Sequence, residues 1–299
     1  VLTRQVLDAV VTLALLEDAP SGDLTGEAFV PAPARARAVV RAREEGVMAC
    51  GDVVAAVMHA VDPAVAVTDV LPDGAAFGPG DVLATIDGPA RAVLRGERVL
   101  LNLLARMVAV ATRTRAYVAE VDGARSASGR AVRVVDTRKT TPGLRALEKH
   151  AVVCGGGHNH RFSLSDAVMV KDNHLTTHAA GEVTAALRSA AERLPHTTHI
   201  EVEVDRLDQI EPVLASGVVG TIMLDNFTLA DLATGVAQVA GRALVEASGG
   251  VTLASIGAIA RTGVDLVSVG ALTHGAGSVD LGLDIDVSAD AGATADAGA

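Results

Sequence analysis

From Val132 onward the chain repeats a short aliphatic run that ends on a polar residue or a glycine. VRVV runs into Asp136, AVMV into Lys171, TIML into Asp225, ALVEA into Ser248 and LVSV into Gly270, while IEVEV carries Glu201 and Glu203 within it. Helix-like stretches, LDQIEPVLASG, LADLATGVAQVAG and LASIGAIARTG, separate the later runs, and the last four runs recur about every 20 to 23 residues, as β-α units do. Aliphatic runs this continuous suit strands covered on both faces, so the pattern predicts a parallel sheet flanked by helices. In open sheets and barrels of this kind, ligands bind beyond the C-terminal ends of the strands. The polar residues fall there, several in succession.

The first third follows a different pattern. An amphipathic helix reaches about Leu16 and gives way to the Gly/Pro/Asp turn region EDAPSGDLTGEAF. ARARAVVRAREEGVMA alternates small or apolar residues with arginine, which predicts a half-buried strand. GDVVAAVMHAVDP predicts a short helix ending before Pro63, and VAVTDVLPDGAAFGPGDVLATIDGPARAVL predicts short strands between Pro/Gly turns. These elements imply an α+β domain with an antiparallel sheet. A long helix follows in LRGERVLLNLLARMVAVATRTRAYVAEV, with a stripe of Leu100, Leu103, Leu104, Met107, Val108 and Ala111. Arg98, Asn102 and Arg113 lie off that stripe. The tail SADAGATADAGA, 288–299, is low in complexity and is expected to be disordered.

Composition narrows the function classes. With 299 residues, 49% of them hydrophobic, the chain can bury a sizeable core in one or two domains. Its formal net charge of −11 repels nucleic acid and anionic membrane, and no Trp, one Tyr and four Phe leave no platform for stacking bases. No stretch reaches the roughly 18 consecutive apolar residues of a membrane span. The N-terminal segment, interrupted by Thr3, Arg4, Gln5, Asp8 and Thr12, reads as a helix rather than a signal peptide. Cys50 and Cys154 are too few for a disulfide framework and match no zinc spacing, so free thiols in a cytoplasmic protein are expected.

Against that acidity, DTRKTTPGLRALEKHAVVCGGGHNHR (Asp136 to Arg161) gathers cations around three glycines. Arg138 and Lys139 follow one strand end, His160 and Arg161 follow the glycines, and Lys171 ends the next run. If these strands are neighbours, all five converge on one mouth. Arginine matches carboxylate or phosphate bidentately and lysine adds a point charge, so the set suits a small ligand with more than one anionic group. Solvated charges paired with Glu148 and Asp166 are the plainer alternative. Gly155-Gly156-Gly157 permits positive φ and close backbone approach, without P-loop or GxGxxG spacing. Ser248-Gly249-Gly250 and Gly270-Ala271 end the last two strands, where barrels often bind phosphate. Glu203 and Asp225 end successive runs and suit sugar hydroxyls or Mg²⁺. His158, His160, His174 and His178 do not have metal-motif spacing.

These segments, with EDAPSGDLT, GDVLATIDGPARAVLRGERVLLN, IEVEVD, IMLDNF, VEASGGVT and SVGALTH in order, resemble the quinolinate phosphoribosyltransferase family over nearly the whole chain. The resemblance implies an α/β fold: an N-terminal α/β sandwich domain (1–112, with 275–287 packing back on it) and an incomplete, open, about seven-stranded α/β barrel (113–274). It implies conversion of quinolinate and phosphoribosyl pyrophosphate (PRPP) to nicotinate mononucleotide, pyrophosphate and CO₂, with Mg²⁺ and no organic cofactor. It implies a homodimer or larger assembly in which Arg98 is donated to the neighbouring active site. Thr137, Arg138, Lys139, His160, Arg161 and Lys171 would bind substrate, and Glu203, Asp225, Ser248, Gly249, Gly250, Gly270 and His274 would hold PRPP. Lys139, Lys171, Glu203 and Asp225 would act in catalysis, the last two near Mg²⁺. Two positions depart from the family pattern: His150 where an aromatic Tyr is expected, and Ser163 where Gly is usual. The alternative inside the class is a relative acting on another heterocyclic acid, such as the sibling associated with molybdenum transport. The alternative outside it is a non-catalytic anion-binding homologue.

Overall fold

The computed structural model describes residues 2–175 and 182–288. His178 and residues 289–299 of the expected tail lie outside the described residues. The chain divides into two compact units. The first comprises Val1–Arg113, Thr141–Gly156 and Ala276–Ala299, and the second Thr114–Thr140 and Gly157–Gly275.

The first unit opens with α1 (Arg4–Asp18), capped by the Thr3 hydroxyl accepting the Val6 N–H, and the short α2 (Leu24–Phe29). Strand β1 (Arg35–Ala42) alternates as its sequence predicts: Ala36, Ala38, Val40 and Ala42 are buried, and Arg35 and Arg37 face solvent. After β2 (Gly46–Val47) come α3 (Asp52–Val61), β3 (Ala66–Thr68), β4 (Ala76–Phe77) and β5 (Val82–Pro89). Strand β5 leads into α4 (Ala90–Glu120). The main sheet is antiparallel in the order β12-β1-β5-β3, where β12 (Leu281–Ser288) is the last described strand. Ser288, assigned to the tail from sequence, is paired with Arg35. Along α4 the whole predicted stripe is buried, and so are Val99, Leu101 and Val110. Packing on several sides therefore hides more of this helix than one amphipathic face would.

The second unit begins within α4 and continues through β6 (Arg133–Val135). Helix α5 (Arg145–Cys154) then belongs to the first unit, not to the barrel segment in which the sequence reading put it. Its buried Glu148 explains why. The carboxylate accepts from Arg106 Nε (3.2 Å) and Nη2 (3.0 Å) on α4, and from the Thr141 N–H (3.0 Å) and hydroxyl (2.8 Å). The second unit resumes with β7 (Val168–Val170), α6 (Asp172–Leu175), α7 (Val183–Glu192), β8 (Ile200–Val204), α8 (Ile210–Leu214), β9 (Thr221–Asp225) and α9 (Leu229–Val239). Strand β10 (Leu244–Ser248), α10 (Leu253–Ala260), β11 (Leu266–Ser268) and α11 (Ala271–His274) complete it.

Six parallel strands lie in the order β6-β11-β10-β9-β8-β7, so the barrel is open between β6 and β7. The expected seventh strand is reduced to a single bridge. His158 pairs in parallel with Val135, its N–H donating to the Val134 carbonyl (2.9 Å) and its carbonyl accepting the Asp136 N–H (3.0 Å). One sheet face packs under helices: at Gly235 of α9 an added Cβ would lie 2.8 Å from Leu224 of β9. No helix among the described residues is long and apolar enough to cross a membrane.

Removing the Glu148 carboxylate takes away the acceptor shared by Arg106 Nε and Nη2 and by two Thr141 donors. Glu148→Ala is expected to lose about 3 kcal/mol of stability, read as a lower urea midpoint at unchanged m-value. Glu148→Gln, which keeps an acceptor for Thr141, loses less.

Candidate active site

The register of the parallel sheet decides what faces the barrel interior. Glu203, Met223 and Glu246 are lateral partners on β8, β9 and β10, and Asp225 pairs with Ser248 one layer nearer the C-terminal ends. Lateral partners share a face and positions two apart repeat it, so carboxylates line the interior. The intervening Val202, Ile222, Leu224, Val245 and Ala247 face the other way and are buried. Met169 pairs with Glu201, which sets Lys171 beside Glu203, and the Lys171 ammonium forms a salt bridge with that carboxylate.

At the C-terminal ends these residues line an open cavity of about 740 Å³, within the usual range for a small-molecule site. Thr137, Arg138, Lys139, His160, Arg161 and Lys171 are on its wall. So are Glu203, Asp225, Ser248, Gly249, Gly250, Gly270 and His274. The strand bearing Arg138 and Lys139 and the strand bearing Lys171 are not neighbours, the condition under which the sequence let the cations converge; they are the two edges of the sheet. The curl of the sheet brings them to one cavity. Arg98 is exposed on the first-unit part of α4 and is not among the lining residues.

Asp136, fully buried at the end of β6, organises the cationic loops. Its carboxylate accepts the His160 N–H (2.8 Å) and the Asn159 side-chain amide (2.6 Å). Gly156, with φ of 91°, supplies the preceding bend that a side chain would strain. The Thr137 hydroxyl accepts the Lys139 N–H (3.0 Å), and the Thr273 hydroxyl donates to the Lys139 carbonyl (2.6 Å). Gly270 leaves room for the lysine stem, since a Cβ there would lie 2.8 Å from Lys139 Cδ.

Burial, and then the charge of Arg138, lower the pKa of Arg161, whose guanidinium also donates to the Ala167 carbonyl (2.9 Å). Among the described residues no carboxylate pairs with Arg138 or Lys139. Glu148 is committed to Arg106, and Asp166 accepts the Phe162 N–H (2.7 Å). The nearby charges of Glu201 and Asp166 offset part of the lowering at Arg161, and the two guanidiniums on this wall suit an anionic ligand. On the same cavity, the turn after β10 has φ of 92° at Gly249 and 57° at Gly250, and a Cβ on Gly249 would collide with Asn226 Oδ1. Only glycine fits there, and the turn leads to α10, capped by the Thr252 hydroxyl.

His160 is a wall residue with both ring nitrogens engaged. Nδ1 accepts the Arg161 N–H (2.7 Å), and Nε2 lies 2.9 Å from Glu201 Oε2 and 3.7 Å from Glu246 Oε1. Glu201, Glu246 and Asp136 position the candidate site without having been assigned to it from sequence. Their signal was a charge inside an aliphatic strand or at its end, where a carboxylate is buried only with partners. Burial first, then the neighbouring Glu201 charge, push the Glu246 pKa up to about 8. The donor atoms of His160, Glu201 and Glu246 lie within 4.8 Å of one another. Glu203 and Asp225 are the carboxylates open to the cavity; Asp225 accepts from the Asn226 amide (2.7 Å).

An open α/β barrel whose mouth gathers guanidiniums, a glycine turn and two carboxylates fits a phosphoribosyltransferase-type enzyme. The family model described as quinolinate phosphoribosyl transferase, N-terminal domain, matches residues 23–108, and that described as its C-terminal domain matches 110–284. The chain belongs to the quinolinate phosphoribosyltransferase family. It is 41% identical over 278 residues to the nicotinate-nucleotide pyrophosphorylase [carboxylating] of Mycobacterium leprae, covering 91% of this chain and 94% of that one. It is 38% identical over 273 residues to the probable enzyme of the same name from Bacillus subtilis, covering 91% of each. Its fold matches the crystal structure of NadC from Streptococcus pyogenes with a TM-score of 0.88 at 36% identity, covering 96% of this chain and 98% of that one.

The Glu246 proton has a consequence for stability. The ordinary value is 4.5 and the folded value about 8, so between them the native state holds a proton that the unfolded chain has released. This stabilisation is complete below pH 4.5 and is lost as pH rises through 8. Unfolding midpoints measured from pH 5 to 9 are expected to fall less steeply for Glu246→Gln than for the parent chain.

Proposed function

We propose that the second unit's cavity converts quinolinate and PRPP to nicotinate mononucleotide, pyrophosphate and CO₂, a step of NAD biosynthesis. The observation that carries this reading is that Arg138 and Arg161 line one cavity together with the Gly249-Gly250 turn. Quinolinate carries two carboxylates, and two guanidiniums with Lys139 match them by charge and by bidentate geometry. The backbone N–H groups of the glycine turn and the start of α10 suit the 5′-phosphate. Glu203 and Asp225 suit the ribose hydroxyls.

Glu203 and Asp225 also offer hard oxygen donors at adjacent strand ends, a set that fits Mg²⁺ shared between one or two carboxylates and substrate phosphates. Bound there with PRPP, the ion supplies charge neutralisation to the pyrophosphate. Lys139 and Lys171 add fixed positive charge where pyrophosphate separates from C1′, which favours an oxocarbenium-like ribose. The cationic pocket holds the pyridine nitrogen in line with that carbon. The pyridinium nitrogen so formed stabilises by its positive charge the electron pair left on C2 when the adjacent carboxylate departs as CO₂, and C2 then takes up a proton from water to give nicotinate mononucleotide. No protein nucleophile takes part.

The protein acts as a cytoplasmic homodimer in which Arg98 of each subunit completes the other's cavity. The cation set of the second unit and the exposure of Arg98 on α4 support this reading.

Purified protein given quinolinate, PRPP and Mg²⁺ is expected to form nicotinate mononucleotide and CO₂, and to form neither without PRPP. Lys139→Ala and Lys171→Ala are each expected to lower kcat/KM by about 10² to 10³; unchanged turnover in both would remove these lysines from the mechanism. Arg98→Ala and Lys171→Ala proteins, each inactive alone, are expected to recover about a quarter of the parent activity when unfolded and refolded together. Half the dimers formed are mixed, and each mixed dimer has one intact site. No recovery would place Arg98 outside the neighbouring subunit's site.

A further inference from the structure

Position 150, where the chain departs from the family pattern, belongs to a second side-chain cluster. His150 and Cys154 lie one turn apart on the same face of α5, four residues separated. Asp73, in the Pro72-Asp73-Gly74 turn of the same unit, faces both. Its Oδ2 is 2.6 Å from His150 Nε2 and 3.5 Å from Cys154 Sγ, and the three donor atoms all lie within 4.8 Å of one another. The other carboxylate oxygen is already held, accepting the Gly51 N–H at 2.9 Å. The turn is fixed from below as well, since the Gly74 N–H donates to the Met48 carbonyl at 2.8 Å. All three side chains retain some exposure, so an ion and its water can reach them.

We propose that Asp73, His150 and Cys154 form a binding site for a zinc-class transition-metal ion, independent of the phosphoribosyl chemistry of the second unit. The donor set is one imidazole, one thiol sulfur and one carboxylate, the mixed N/S/O set that Zn²⁺ and Co²⁺ prefer and that Mg²⁺ does not. Zinc bond lengths of about 2.0 Å to N and O and about 2.3 Å to S give tetrahedral edges of about 3.3 Å for N···O and about 3.5 Å for S···O. The Asp73–Cys154 separation already has that length. The Asp73–His150 contact, now a hydrogen bond, opens by about 0.7 Å when the metal replaces its proton. The Gly51 N–H supplies the outer contact that orients the carboxylate. Cys50 lies nearby but is buried, with Sγ directed to the Leu147 carbonyl at 3.7 Å. Three protein donors are thus available, and the fourth position goes to water.

Cobalt(II) separates this site from the carboxylates of the barrel, because only a thiolate ligand gives a sulfur-to-metal charge-transfer band in the near ultraviolet. The full chain, freed of metal with EDTA and exchanged into chelator-free buffer, is titrated with Co²⁺. One equivalent is expected to produce that band together with the strong visible bands of four-coordinate Co²⁺, and Zn²⁺ is expected to displace both. Cys50→Ala keeps the bands, Cys154→Ser loses the charge-transfer band, and His150→Gln weakens binding at least tenfold. Nicotinate mononucleotide formation by each variant reports its folding; loss of that activity in the parent chain would bear on the barrel site only. A parent chain that shows no charge-transfer band at saturating Co²⁺, or a band that persists in Cys154→Ser, overturns the proposal. So does a parent chain whose thermal unfolding midpoint does not rise with Zn²⁺, a measurement that needs no variant.

Discussion

The two-residue alternation of β8, β9 and β10 is the constraint on which the rest of the second unit depends. One set of positions gives Val202, Leu224, Val245 and Ala247 to the helix-covered face, and the other turns Glu201, Glu203, Asp225 and Glu246 inward. A slip of one residue would bury the carboxylates under helices and empty the barrel of polar groups. The aliphatic face therefore sets the position of every carboxylate. It does so with far more free energy than the site contributes, since each fully buried Val or Leu is worth about 1.5 to 3 kcal/mol. The inward charges are a cost the fold sustains: Glu246 keeps its proton, Glu201 shares the His160 imidazole, and Glu203 is tied to Lys171.

The same economy explains how an acidic chain binds anions. Its net charge of −11 governs only what approaches from a distance. Within the cavity the nearest charges decide, and there Arg138 and Lys139 have no carboxylate partner among the described residues. Glu148, close to them in sequence, belongs with Arg106 to the first unit and is paired with it. Its carboxylate is committed to Arg106 and Thr141 rather than to the cations that precede it in sequence.

Much of this was legible in the chain. The β-α rhythm located all six parallel strands because each is a short aliphatic run with a polar or glycine end, and the alternation in Arg35–Ala42 announced an antiparallel strand. The strand-end residues of the site were legible for the same reason. Three things were not. Strand order is a long-range property, so the placement of β6 and β7 at opposite edges could not be read from their nearness in sequence. The assignment of α5 to the first unit follows from one buried carboxylate, Glu148, whose partner Arg106 is 42 residues away. The binding histidine expected at position 160 has its ring nitrogens committed to Glu201 and the Arg161 N–H, contacts that no local pattern encodes.

The open edge of the barrel also accounts for the three glycines. Closing the barrel with a full seventh strand would fix 157–161 by backbone pairing and point their side chains alternately in and out. With a single bridge at His158, the segment is free after one residue, and a side chain takes over: Asp136 accepts both the His160 N–H and the Asn159 amide. Gly156 makes the bend that delivers the chain to that carboxylate, with a φ that an alanine would resist by about 1 kcal/mol or more. His160 and Arg161 can then both face the cavity although they are adjacent, which a regular strand forbids. The incomplete barrel suits the site in this sense, because adjacent side chains on one wall need a segment released from the pleat.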